Sequence, residues 1–201
     1  VSAVQKDPKT YEHINPDNVG NVRNIVVSDQ SGQSNIMSRL NAIGIKIKKD
    51  DPKIKKLLHE VKDREFIGYS YDGADASFEL LARRLMGDIP RYISINEYDV
   101  SVKKDSSGEV ISFAKAKLEV DGHEILCEGE GNGPVNALDN AIRKNVNKLE
   151  KYSEYLKDLK LVDYKVRILN TGTGAVTRVS IESADSKHGS WFTIGVSPNI
   201  I

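Results

Sequence analysis

Apolar residues recur at steps of three and four through the first half of the chain and at steps of two through much of the second. Ile36, Met37, Leu40 and Ile43 predict one helix, with Ser34 or Asn35 as its cap and Gly44 as its stop. Asp51-Pro52 opens the next, whose buried face is Ile54, Leu57, Leu58 and Val61. Gly68–Asp72 reads as a turn. Ala74, Phe78, Leu81 and Leu85 mark a third helix, with Gly87 beyond its end. From Arg91 the period becomes two. Tyr92, Ile93 and Ile95, then Tyr98, Val100 and Val102, alternate with polar residues as in a half-buried strand. Ser106-Ser107-Gly108 turns the chain into a second strand carrying Val110, Ile111, Phe113, Ala116, Leu118 and Val120. Asp121-Gly122 is a two-residue hairpin signal, and His123–Glu130 is the third strand.

That strand runs into GEGNGP and then a helix marked by Val135, Leu138, Ile142, Val146 and Leu149. Gly129, Gly131 and Gly133 suit positions where a side chain would clash or φ must be positive. Pro134 suits a first helical turn, where its missing N–H has no partner to lose. A glycine turn at a helix start can hold a phosphate. This one has no Lys-Ser/Thr pair of a P-loop and does not fit a dinucleotide fingerprint, so a tight strand-to-helix corner is the better expectation.

The pattern then begins again. Leu161–Ile168 matches the Tyr98–Val102 strand, a turn follows at Gly172 and Gly174, and Val176–Ile181 and Trp191–Val196 follow as strands. IGVSPNII aligns with EGEGNGPV when Pro198 is set on Pro134, which brings Gly195 onto Gly131. The patterns together predict an α+β protein: a polar linker segment over 1–34, a helical subdomain over 35–90, and a domain over 91–201 built on the duplication. The last holds two βββα units, 91–150 and 161–201, the second without its final helix, joined by a charged helical connector. In the linker, Asp7-Pro8 and Asn15-Pro16 start turns, and Ile25-Val26-Val27 is too short for an independent strand. Both ends read as cut from a longer protein.

Composition narrows the function. Lys+Arg and Asp+Glu balance at 29 each in 201 residues, so no net field favours nucleic acid or membrane, and no stretch is a membrane span. Cys127 is the one cysteine; an intrachain disulfide is impossible, which suits a reducing cytoplasm. Lys53, Lys55, Lys56 and Lys62 are offset from their helix's apolar face and read as solvated surface before a phosphate patch. His13, His59, His123 and His188 lack metal-ligand spacing, and no nucleophile motif is present. Tyr11 and His13 alone invite a catalytic reading, against that of surface turn residues.

VSAVQKDPKTYEHINPDNVGN, VSDQSGQSNI, GYSYDGADASFELLARR and GEGNGPVNALDNAI together resemble the C-terminal part of the citramalate synthase and 2-isopropylmalate synthase family. The resemblance covers essentially the whole chain. TYEHI and DGADASFELL are more similar to the citramalate branch. The resemblance implies a parent enzyme with an N-terminal (β/α)8 barrel that holds a divalent metal and condenses acetyl-CoA with pyruvate. No metal or cofactor is expected in this part, which should dimerise but not catalyse alone. The family's active-site His would directly precede Val1. Tyr11 matches the family's Tyr, which reaches the active site, often of the neighbouring subunit; His13 has only adjacency behind it.

The resemblance also implies a homodimer whose regulatory domain binds isoleucine as end product. A branched amino acid needs an apolar slot, donors for its carboxylate and acceptors for its ammonium. The corners at Gly131, Gly133, Pro134 and Val135, and at Gly195 and Pro198, are the candidates, with Tyr98, Asp99, Asp163 and Tyr164 nearby by repeat symmetry. The alternatives are a 2-isopropylmalate or homocitrate synthase, with another oxo acid and effector, or a stand-alone amino-acid-binding module.

Overall fold

The structure, a computed structural model, describes residues 2–21 and 32–201; Ile25-Val26-Val27 and the first half of VSDQSGQSNI lie outside them. Helices α1 (Ser2–Lys6), α2 (Gln33–Ala42), α3 (Pro52–Phe66) and α4 (Asp75–Met86) precede strands β1 (Ile93–Lys104), β2 (Val110–Val120) and β3 (His123–Gly131). Helices α5 (Pro134–Val146) and α6 (Glu150–Leu156) follow, then β4 (Lys160–Ile168), β5 (Thr177–Asp185) and β6 (Gly189–Ser197). The order is the expected α+β one: helices, three strands and a helix, then three strands again. The chain divides into two compact units.

One unit takes Val1–Ile89 with Leu161–Ser183 and Ser190–Ile200. Its helices form as the pattern predicts. The Asp51 carboxylate caps α3 by accepting from Lys53 N at 2.9 Å, and Gly87 ends α4 in the left-handed conformation at φ 81°. Helix α2 begins earlier than predicted, after Gly32. Ile36, Leu40, Ile54, Leu57, Val61, Tyr71 and Phe78 make the core. Arg39 is buried among them, paired with Asp75, its guanidinium 5.3 Å from the Phe78 ring centre. Hydrogen bonds tie the sheet β4-β5-β6 to this helical part: Arg178 Nε donates to Gly68 O at 2.5 Å, and Ile194 N donates to Ser77 Oγ at 2.9 Å.

The other unit takes Pro90–Lys160 with Ala184–Gly189 and Ile201. Its sheet runs β1-β2-β3, antiparallel, with Tyr98 opposite Ala116 and Ala116 opposite Cys127. The register slips between Ile95 and Glu97. That bulge explains why the apolar positions of β1 change parity, from Ile93 and Ile95 to Tyr98, Val100 and Val102. Asp121 at φ 50° and Gly122 at φ 80° make the predicted two-residue hairpin. Ser112, Ala114, Ala116, Leu118 and Val120 face inward on β2 and are buried.

Helix α5 covers that face. Its most buried residues are Ala137 and Ala141, which the sequence pattern does not mark, and Val146, which it does; Leu138, Ile142 and Leu149 of the predicted stripe pack around them, partly buried. The strand glycines allow it. A Cβ on Gly131 would stand 2.5 Å from Ala137 N, whereas one on Gly133 would meet nothing within 4 Å. None of the three corner glycines has positive φ; Gly133 is extended at φ −158°. The corner is built for close helix–strand approach.

Candidate functional site

The outer face of β1-β2-β3, away from α5, is a charged lattice. Cross-strand register sets Asp99, Lys115 and Glu128 in one row and Glu97, Lys117 and Leu126 in the next. Lys115 Nζ pairs with Glu128 at 2.9 Å. Lys117 Nζ stands 3.8 Å from both Glu97 and Glu124. Hydrogen bonding to Lys115 holds the Glu128 carboxyl below its ordinary value and raises Lys115 in turn. Leu126 stands among these charges 69% exposed. A depression of about 380 Å³ opens here, lined by Glu97, Tyr98, Asp99, Lys115, Lys117 and Leu126 among others.

The chemistry is that of a small zwitterion site: two ammonium groups for a carboxylate, carboxylates for an ammonium, and an apolar contact between them. Asp99 turns its side chain to this face; Tyr98 borders the depression but, opposite the buried Ala116, turns its side chain to the inner face. The structure does not gather them with Gly131, Gly133, Pro134 and Val135. Gly131 lies opposite Ser112, and Ser112 opposite Val102, four residues along β1 from Tyr98, or about 13 Å.

In the second sheet, Tyr164 Oη donates to Ile200 O at 3.1 Å, so Tyr164 reaches the segment just past Pro198. Asp163 Oδ2 pairs with Lys165 Nζ at 2.5 Å, and Gly195 has nothing within 4 Å of an added Cβ. Sequence reasoning missed Lys115, Lys117 and Leu126. Their signal was the alternation K-A-K on β2, which acquires meaning only with the cross-strand register.

Near the start, Asp7 and Asn15 cap short 3-10 turns through Lys9 N at 3.0 Å and Asp17 N at 3.3 Å. Tyr11 follows the first and is exposed. His13 lines a groove of about 470 Å³ with Asp7, Lys9, Glu12 and Asn15 among others; Tyr11 is outside that lining. His59 lies 3.3 Å from Asp63 on α3. His188 lies 2.7 Å from Asp185 in the β5–β6 turn. Cys127 is buried, and burial raises its thiol pKa. Among the described residues, no group of three or more His, Cys, Asp or Glu is placed to hold a metal. No helix among them is long and apolar enough to cross a membrane.

A helical subdomain followed by two three-stranded sheets, the first backed by a helix against paired glycines, defines the class of a small α+β module. The chain belongs to the LeuA allosteric (dimerisation) domain family, whose model matches residues 72–201. Residues 1–66 match a second model, described as homocitrate synthase post-HMGL domain-like. The whole chain is 46% identical to a protein of Aquifex aeolicus named (R)-citramalate synthase and 44% identical to one of Geobacter sulfurreducens with the same name. A Synechocystis protein, also so named, is 44% identical across the whole chain. The chain covers the C-terminal part of these relatives and spans 38% of the length of the first two and 37% of the third.

Proposed function

We propose that this chain is the C-terminal regulatory part of a cytoplasmic (R)-citramalate synthase, controlled by isoleucine and assembled as a homodimer. One observation carries the reading: similarity runs through the whole chain to several proteins that share that one name. The family model supports the dimer and the allosteric role.

The parent reaction joins the methyl carbon of acetyl-CoA, after loss of a proton, to the ketone carbon of pyruvate; water then releases CoA from the thioester. The barrel residues that would do this lie in the preceding part of the polypeptide, where a divalent metal would supply Lewis-acid polarisation of the ketone. Tyr11 would assist near the acetyl group with a phenol that positions a proton carrier. The effector's charged ends and aliphatic side chain match the ammonium groups, carboxylates and Leu126 of the β1-β2-β3 depression.

The test is CoA-thiol release by the full polypeptide, with pyruvate or 2-oxoisovalerate, and with isoleucine or leucine added. Turnover of pyruvate suppressed by isoleucine is the expected result. Turnover of 2-oxoisovalerate under leucine control would move the protein to the 2-isopropylmalate branch. Turnover of neither would leave a binding module.

A further inference from the structure

Helix α5 packs chiefly over β3 and β2 and covers β1 least, reaching it around the half-buried Val100. On the inner face of β1, Ile95 is 51% and Val102 56% exposed, with Ile93 and Tyr98 also exposed. In the β1-β2-β3 order, β1 is an edge strand as well. It is 12 residues long and contains no proline. A strand with both an open edge and an open apolar face is a template for another strand.

The residue pattern identifies that strand as a second copy of itself. In an antiparallel two-fold pairing, inward residues must oppose inward residues, so the axis must pass through a residue rather than between two. Each possible axis can be weighed by its charges. An axis through Asp99 sets Asp99 against itself and Ile95 against Lys103. An axis through Ser101 sets Tyr98 against Lys104 and Glu97 against Asp105. An axis through Tyr98 sets Glu97 against Asp99. Of these four, the axis through Val100 alone satisfies every pair from 97 to 103: Glu97 meets Lys103, Tyr98 meets Val102, Asp99 meets Ser101, and Val100 meets Val100. Each unlike pair occurs twice by symmetry. The bulge between Ile95 and Glu97 ends the regular stretch on one side, and the turn at Ser106-Ser107-Gly108 ends it on the other.

The opposite edge is built against the same event. On β3, an axis through Cys127 opposes Glu124 to Glu130 and Leu126 to Glu128, and an axis through Leu126 opposes Glu124 to Glu128. Like charges directly opposite destabilise a pair. Asn140 Nδ2 also donates to the Glu130 carbonyl at 2.9 Å.

We infer that β1 is the self-association seam: two copies pair antiparallel about Val100 into one six-stranded sheet, β3-β2-β1-β1-β2-β3. The two α5 helices then flank an apolar trough formed by Ile95, Tyr98, Val102 and Val110 of both copies. The inference rests on the dimer proposed above and adds its face and register.

Sedimentation of the 201-residue chain first reads whether it dimerises. Val100→Cys then tests the axis. Directly opposed residues have Cα atoms about 4.5–5.5 Å apart, within disulfide range, so mild oxidation gives a covalent dimer, while Val102→Cys, which opposes Tyr98, does not. Native Cys127 is buried and serves as the background control. Glu97→Lys and Lys103→Glu each weaken dimerisation roughly tenfold, and the double swap restores it. Circular dichroism confirms folding of each variant. A dimer that ignores both single swaps and does not cross-link through Val100→Cys overturns the seam and leaves the dimer standing. A chain that stays monomeric at about 100 times a micromolar affinity overturns both.

Discussion

Gly129 of β3 lies against Ala141 of α5 so closely that an added Cβ would stand 2.5 Å from Ala141 N and 2.8 Å from its Cα. The neighbour is backbone, so no side chain can swing aside. Gly129→Ala therefore destabilises the β1-β2-β3 unit by about 1–3 kcal/mol, the usual cost of overpacking. Gly133→Ser serves as the contrast. It meets open space at an N-cap position where Ser and Gly differ by only a few tenths of a kcal/mol. Urea unfolding of the two variants reads the difference.

The helical core carries a pH-dependent group. Tyr71 is buried, edge-on to Phe78 with ring centres 6.2 Å apart, and burial pushes its phenol up to about 12. An unfolded tyrosine ionises near about 10. As pH rises from about 10 to 12, the unfolded chain has lost this proton while the folded chain keeps it, so stability falls across that window. The loss reaches on the order of 2–3 kcal/mol near pH 12. A tyrosinate absorbance titration should show a phenol ionising at about 12 that Tyr71→Phe removes. The variant's stability should fall less steeply across the same window.

These two sites also show what the sequence pattern could carry. Ile54, Leu57 and Val61 lie at helical spacing and all three are fully buried, because a helix stripe needs only local geometry. Tyr71 gave no such signal: it lies with Tyr69 in a Gly- and Asp-rich turn that has no apolar period, and the ring it meets edge-on, Phe78, belongs to the helix that follows. Ala137 and Ala141 lost out to Leu138 and Ile142 in the pattern because hydrophobicity favours the larger side chain. Close approach to Gly129 and Gly131 selects the smaller. The outer-face depression was legible only in part. Repeat symmetry named Asp99 together with Tyr98, which faces the other way, and Lys115, Lys117 and Leu126 join Asp99 only through a register that includes the bulge near Asn96.

If that depression holds the effector, its cations carry the carboxylate. Lys117→Ala removes an ammonium held 3.8 Å from Glu97 and from Glu124, both exposed contacts whose loss costs the fold little. A hydrogen bond to a charged ligand group is worth about 1.5–3 kcal/mol, so isoleucine affinity should drop roughly ten- to hundredfold. Titration calorimetry on the chain reads this directly, with thermal unfolding as the control. Unchanged affinity in Lys117→Ala would place the effector elsewhere.

The depression and the proposed seam share one strand, and that sharing has a thermodynamic consequence. Pairing about Val100 brings Lys103 of the second copy opposite Glu97, at the mouth of the depression. A further cation there favours a bound carboxylate, so the dimer should hold isoleucine more tightly than the monomer. Linkage then requires isoleucine to tighten the dimer by the matching factor. A coupling of about 1–3 kcal/mol corresponds to roughly 5- to 150-fold in each constant. Sedimentation equilibrium across an isoleucine series measures one side, and calorimetry above and below the dimer dissociation constant measures the other. Agreement of the two factors would tie sensing to assembly on β1. Tight isoleucine binding with no change in the dimer constant would separate the two sites and leave the signal to travel by another route.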